Sequence, residues 1–142
     1  MKKKQKKRKA FTRQNNIRYI VVHTTGTRPS IAFNELDKLN RYPYHYIITP
    51  HGKLLNLRPL LPSDGTIEVA LMGGLNKEGI HADTRTEAQN DCLFTTLVLL
   101  TEHFPEAVIK AADELYQYGF ANPGFNVKEW LANYIPAFLI AA

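Results

Sequence analysis

The chain carries five histidines and a single cysteine, the side chains best suited to metal or nucleophilic chemistry. His23 closes a β-branched run, IRYIVVH, and Tyr44 and His45 stand side by side in PYHYIITP. Asp113 and Glu114 offer adjacent carboxylates. A hydrolytic zinc centre needs three protein ligands in a tetrahedral array, with the fourth position left to water. No spacing here demands such a set. His51 falls in Pro50-His51-Gly52, a hairpin tip; His81 falls in a loop, and His103 at the end of a long helical pattern. Neighbours in a strand point to opposite faces, so Tyr44 and His45 cannot both line one groove. That leaves His81, in a loop, as the one mobile candidate for a metal ligand, with Asp113 and Glu114 as possible carboxylate donors. Each residue also has a plain reading: His23 as a hydrogen-bonded histidine at a strand end, and Tyr44 as a packed ring whose hydroxyl goes to a neighbour.

The elements that must position these residues are legible in part. Ile17–His23 reads as a buried strand, its alternation setting Ile17, Tyr19, Val21 and His23 on one face. Ser30 caps a short helical segment, IAFNELDKLN, in which Phe33, Leu36 and Leu39 fall close together. YHYIITPHGKLLNLRPL is two extended runs around a turn, and TIEVALMGG is a further strand ended by Gly73 and Gly74, which serve turn geometry. Thr86 and Gln89 have the capping-box spacing ahead of CLFTTLVLLTEHF, the clearest helix, which stops near Phe104-Pro105. Cys92, alone in that apolar pattern, reads as a small core residue, and one cysteine excludes an intramolecular disulfide. Residues 107–112 fit a brief strand and a helix equally well. NVKEWLANYI is a last short helix after the turn-like ANPGF, with Trp130 filling core. Strands interleaved with helices give an α/β class, a central mixed β-sheet flanked by helices.

The 142 residues suit one domain, with a basic arm at 1–15 and the domain at 16–142. Residues 1–18 hold nine of the 18 Lys and Arg and no acid, leaving nine bases against 13 acids, a net of −4, for the remainder. Lys2, Lys3, Lys4, Lys6, Lys7, Arg8 and Lys9 repel one another and have nothing apolar to bury, so the arm is expected to be disordered. It either docks on nucleic acid or another anionic surface or simply solubilises the chain. No apolar segment of ~7–15 residues follows the charges, so no Sec signal is expected, and the protein is placed in the producing cell's cytoplasm or in a phage particle. The apolar YIPAFLIAA is far below the ~20 residues of a membrane span, so no transmembrane segment is expected.

Four pieces, in order, resemble one family, the type-2 N-acetylmuramoyl-L-alanine amidases, which include phage amidase lysozymes and peptidoglycan recognition proteins. IRYIVVHTTGT resembles the strand presenting their first zinc histidine, and PYHYIITPHGKLLNLRPL is similar to their Tyr-His-Phe strand and hairpin. VALMGGLNKEGIHADTRTEAQ resembles their Gly-Gly-Leu loop and Ala-Asp-Thr-Arg-Thr helix start, the most specific match. NPGFNVKEWL resembles their Cys-Pro-x-Phe-Asp-Val-x-x-Trp segment. The likeness runs from about Ile17 to Leu131, and several weak motifs in the right order outweigh any one alone.

The resemblance implies a single domain with zinc at the floor of a groove that holds glycan and stem peptide, and hydrolysis of the amide joining N-acetylmuramic acid to L-alanine. Carried over by residue, His23 matches the first zinc ligand and Tyr44 the active-site tyrosine. Ala112 stands at the second ligand, a histidine in the family, and Asn122 at the third, a cysteine. A polar helper two residues before that cysteine is replaced by Phe120. Alanine has no donor, and a neutral amide oxygen is a poor zinc ligand beside thiolate or imidazole. The expectation is therefore a degenerate member without cofactor: a groove formed by His23, Tyr44 and Asn122 that binds a peptidoglycan fragment or serves a protein assembly, Tyr44 being vestigial. The alternative is an active amidase using zinc in a non-standard site.

Overall fold

The computed structural model describes residues 16–32, 35, 44–116 and 122–136. Outside them fall the expectations for the arm and its bases Lys2 to Lys9, for Phe33, Leu36 and Leu39, for Phe120, and for the chain beyond Pro136. Five strands form one sheet in the order β3-β2-β4-β1-β5. β1 (Tyr19–Thr24) and β4 (Thr66–Leu71) are central and parallel. β5 (Val108–Ala111) lies parallel to β1, and β2 (Tyr46–Ile48) parallel to β4. β3 (Leu54–Asn56) is the antiparallel edge.

Central parallel strands are covered on both faces and should read as near-continuous apolar runs. β1 and β4 do so apart from their terminal threonines, Thr24 and Thr66, and two titratable residues, His23 and Glu68, both buried. One face carries Ile20, Val22, Ile67, Val69 and Leu71, packed beneath Leu93 and Leu97 of α1 (Glu87–His103). The other face carries Val21 opposite Glu68 and His23 opposite Ala70, beside Ile47 and Met72. Period-2 alternation thus places the histidine and the glutamate on the same side, away from α1.

α1 begins as its cap predicts: the Thr86 hydroxyl accepts from Gln89 N–H at 3.0 Å, and Gln89 Oε1 accepts from Thr86 N–H at 3.1 Å. Gln89 then does more than cap. It is buried, and its amide donates to the carbonyls of Ile48 (3.2 Å) and Met72 (3.0 Å), tying the helix start to the ends of β2 and β4. Residues 107–112, which fit strand or helix by pattern, split between the two: β5 ends at Ala111, and a single turn, α2 (Ala112–Leu115), follows. Sheet pairing along Tyr19–Val22 decided this. α3 (Val127–Asn133) starts at Asn126, whose side chain accepts from Glu129 N–H at 3.0 Å, and Trp130 packs on the core edge against Phe125 and Tyr134. Among the described residues no helix is long and apolar enough to cross a membrane.

The β2–β3 turn is pressed onto α1. Thr86 Oγ1 donates to Pro50 O at 2.6 Å, and Gly52 has φ +82°. A Cβ at Gly52 would sit 2.7 Å from the Ala88 carbonyl oxygen, which is backbone and cannot rotate away. Gly52→Ala should therefore destabilise the fold by about 1–3 kcal/mol, read as a lower urea midpoint at unchanged m-value.

Candidate functional site

The site lies at the carboxyl end of β1, where ligands commonly bind in open sheets of parallel strands. His23 Nε2 is 2.5 Å from Glu68 Oε1 on the neighbouring strand. The Tyr116 hydroxyl, just past α2, donates to both Glu68 oxygens at 3.1 and 3.0 Å. The imidazole lies between two tyrosine rings, Tyr44 edge-on at 5.1 Å and Tyr116 stacked at 5.8 Å between centroids. Only 6% of the His23 side chain is exposed.

Electrostatics set the proton positions. Burial works to raise the Glu68 pKa, but hydrogen bonds from His23, Thr66 and Tyr116 outweigh it and hold the carboxyl below the ordinary glutamate value. Burial, with the adjacent Glu68 charge, pushes the Tyr116 phenol up to about 12. An ionised carboxylate only accepts, so both Tyr116 O–H and His23 Nε2–H donate to it. His23 Nδ1 is then the nitrogen left over, buried and without a partner among the described residues.

Tyr44 packs with Ile47, Ala70 and Met72, and its hydroxyl donates to the Thr24 carbonyl at 3.1 Å. His45 points the other way, as strand alternation requires, although both residues precede β2 rather than lie in it. His45 is buried, its Nδ1 accepting from Glu68 N–H at 2.9 Å and its Nε2 lying 3.2 Å from Asp64. Burial lowers its pKa, with Arg58 adding to the effect and Asp64 opposing it. The neutral ring this favours is the one whose Nδ1 can accept from a backbone N–H. His45 and Tyr46 both line a cleft of about 690 Å³ with Arg58, Leu99 and His103, so the alternation slips at the head of β2.

Ala112, 1% exposed, presents a methyl group. The Asn122 backbone carbonyl accepts from Thr24 Oγ1 at 3.0 Å, tying this segment to the residue after His23, and lies 3.2 Å from His81 Nε2. Its side-chain oxygen is buried with no partner among the described residues. His81, Asp113, Glu114 and Asn122 share a second cleft of about 460 Å³. Glu114 is engaged elsewhere: it accepts from Ala111 N–H at 2.9 Å and faces Lys128 and Lys110. His51 is exposed at the turn, and His103 meets the Phe104 ring edge-on.

The supporting shell follows the sequence motifs. Arg85 grips Asp83 and Asn90 and lies 3.4 Å over the Phe125 ring, so the start of α1 is clamped to the segment holding Asn122. At Gly74 (φ +104°) a Cβ would meet Thr24 Oγ1 at 2.4 Å, so only glycine lets this loop approach β1. Sequence reasoning missed Glu68 and Tyr116. A lone acid in the apolar run TIEVAL was the available signal, since a charge in a doubly covered strand must be paired; nothing marked Tyr116.

The residues do not fit a three-ligand zinc centre. Among the described residues no three His, Cys, Asp or Glu side chains converge as a metal site. Ala112 contributes no donor.

Removing the carboxylate at Glu68 strands two buried donors at ~1–3 kcal/mol each, so Glu68→Ala should lose about 3 kcal/mol in urea denaturation at neutral pH. Because the folded pKa of Glu68 is depressed, its contribution is complete above the unfolded value near 4.5 and fades as pH falls through the lower folded value. Glu68→Gln should flatten that acid limb between about pH 5 and pH 3; an unchanged limb would contradict this account of the site.

No protein-family model matches the chain. No curated protein sequence matches it either. Solved structures do. The Ph2119 endolysin from Thermus scotoductus MAT2119 bacteriophage Ph2119 superposes with TM-score 0.63 at 20% identity, over 83% of this chain and 84% of that one. The N-acetylmuramoyl-L-alanine amidase LysCS from Clostridium intestinale URNW gives 0.64 at 19% identity, over 84% of each. Drosophila peptidoglycan recognition protein SD gives 0.56 at 14% identity, over 84% of this chain and 82% of that one. At such identities the shared property is architecture, and the chain has the fold common to N-acetylmuramoyl-L-alanine amidase endolysins and peptidoglycan recognition proteins.

Proposed function

We propose that this domain binds peptidoglycan without hydrolysing it. The observation that carries the reading is the donor set at the end of β1: one imidazole already hydrogen-bonded to Glu68, a methyl at Ala112 and a neutral amide at Asn122. Zinc hydrolysis needs a cation that both acidifies water and polarises the carbonyl, and one imidazole without companion ligands does not hold such an ion. Binding has no such requirement. Aromatic rings and fixed hydrogen-bonding groups suffice to hold a glycan with its stem peptide, and the cleft lined by His81, Asp113, Asn122 and Phe125 supplies both kinds.

In this reading Lys2, Lys3, Lys4, Lys6, Lys7, Arg8 and Lys9 add a salt-sensitive contact to an anionic surface, with the domain supplying specificity. The second reading, an amidase with an unusual metal site, predicts different behaviour in the same experiment. Purified sacculi should retain the protein saturably and release no N-terminal L-alanine, and the freshly purified protein should contain far less than one zinc per chain. Stoichiometric zinc together with alanine release that is abolished by His23→Ala would establish the amidase instead.

A further inference from the structure

We infer that the cleft beside Asn122 selects peptidoglycan carrying a free primary ammonium, with Asp113 as the residue that recognises it. The inference rests on the binding reading above and names the group by which the cleft discriminates. The cleft, of about 460 Å³, is walled by the end of β5, α2, residues 122–126 and the first turn of α3; neither His23 nor Tyr44 lines it. Most of its charged and polar groups are engaged from within the chain. Lys128, the one Lys or Arg in the lining, faces Glu114 at 3.5 Å. Glu114 also accepts from Ala111 N–H and is approached by Lys110 at 3.8 Å. His81 donates from Nε2 to the Asn122 carbonyl at 3.2 Å, since a carbonyl can only accept.

Asp113 is different. It is exposed, and among the described residues no hydrogen bond or ion pair reaches its carboxylate. In the same wall the Asn122 side-chain oxygen is buried and has no donor among the described residues. A buried acceptor in that condition costs free energy that a ligand N–H recovers. Two unspent acceptors call for a ligand that donates, and a carboxylate pairs best with a charged donor, because hydrogen bonds between ionised partners are roughly twice as strong as neutral ones. Bulk charge works in the other direction. The chain carries a net +5, so a cation gains nothing from the overall field, and a preference for one reports on the cleft itself. Peptidoglycan offers a primary ammonium in two places: on a stem-peptide diamino acid that is not cross-linked, and on a glucosamine that has lost its acetyl group. Acylation at either place leaves a neutral amide, which gives Asp113 no ion pair.

The test titrates the full chain with two pairs of probes by calorimetry. One pair is N-acetyl-L-alanyl-γ-D-glutamyl-L-lysine with its side-chain amine free or acetylated; the other is tetraglucosamine and tetra-N-acetylglucosamine. In at least one pair the free amine should bind about tenfold tighter than its acetylated partner, and Asp113→Asn should bring that ratio below about twofold. The urea midpoint of Asp113→Asn should stay at the wild-type value, since the side chain is exposed and makes no contact among the described residues. The pair that shows the preference assigns the ammonium to peptide or to sugar. Ratios near one in both pairs, or a preference that survives Asp113→Asn, would overturn the inference. Should the probes bind too weakly to titrate, purified sacculi decide: acetylating their free amines should weaken retention of the wild type by about tenfold and leave retention of Asp113→Asn unchanged. Equal wild-type retention before and after acetylation would remove this inference alone, whereas no retention by either preparation would remove the binding reading with it.

Discussion

A carboxylate taken out of water must be paired, and the whole site is arranged around that constraint at Glu68. Its side chain is buried in the centre of the sheet, where an unpaired charge costs far more than one mutation's worth of stability. Three groups meet it on the groove side, His23, Tyr116 and the Thr66 hydroxyl, and their combined pull keeps it ionised despite burial. Its backbone N–H goes to the His45 ring from the neighbouring segment that leads into β2. One residue thus engages both histidines, His23 through its carboxylate and His45 through its backbone.

The remainder of the architecture carries the groove to this point. Gln89 fastens α1 to the ends of β2 and β4 from within the core, and Arg85 fastens the same helix start to Phe125. Asn122 is held to β1 through Thr24. The Gln89 and Arg85 contacts are made by residues of the motif that resembles the amidase helix start, whereas the Asn122 contact is made by its backbone carbonyl.

Binding and hydrolysis place different demands on such a groove. A hydrolase must keep an open coordination position and a polarised ion. A binding module benefits from a site whose charges are already balanced, since an uncompensated buried charge would weaken the fold without improving affinity. In the Glu68–His23–Tyr116 cluster the carboxylate is met by hydrogen-bond donors, and the donors and acceptors are satisfied apart from His23 Nδ1.

Several features were local and could be read directly from the chain. The strand at Tyr19–Thr24, the Pro50-His51-Gly52 turn, the Thr86/Gln89 cap and the final helix are each specified by residues close in sequence, through pleat alternation, backbone freedom and capping hydrogen bonds. The absence of a donor at Ala112 needed only the residue's chemistry. What lay beyond reach was everything set by strand order. Whether Val108–Ala111 became strand or helix depended on an unpaired edge of β1. Glu68 meets His23 across 45 residues, and Tyr116 meets Glu68 across 48, only because β4 and β5 flank β1. Periodicity reports which face a side chain takes and not which strand lies beside it, so the identity of the group holding His23 was decided by the tertiary structure alone.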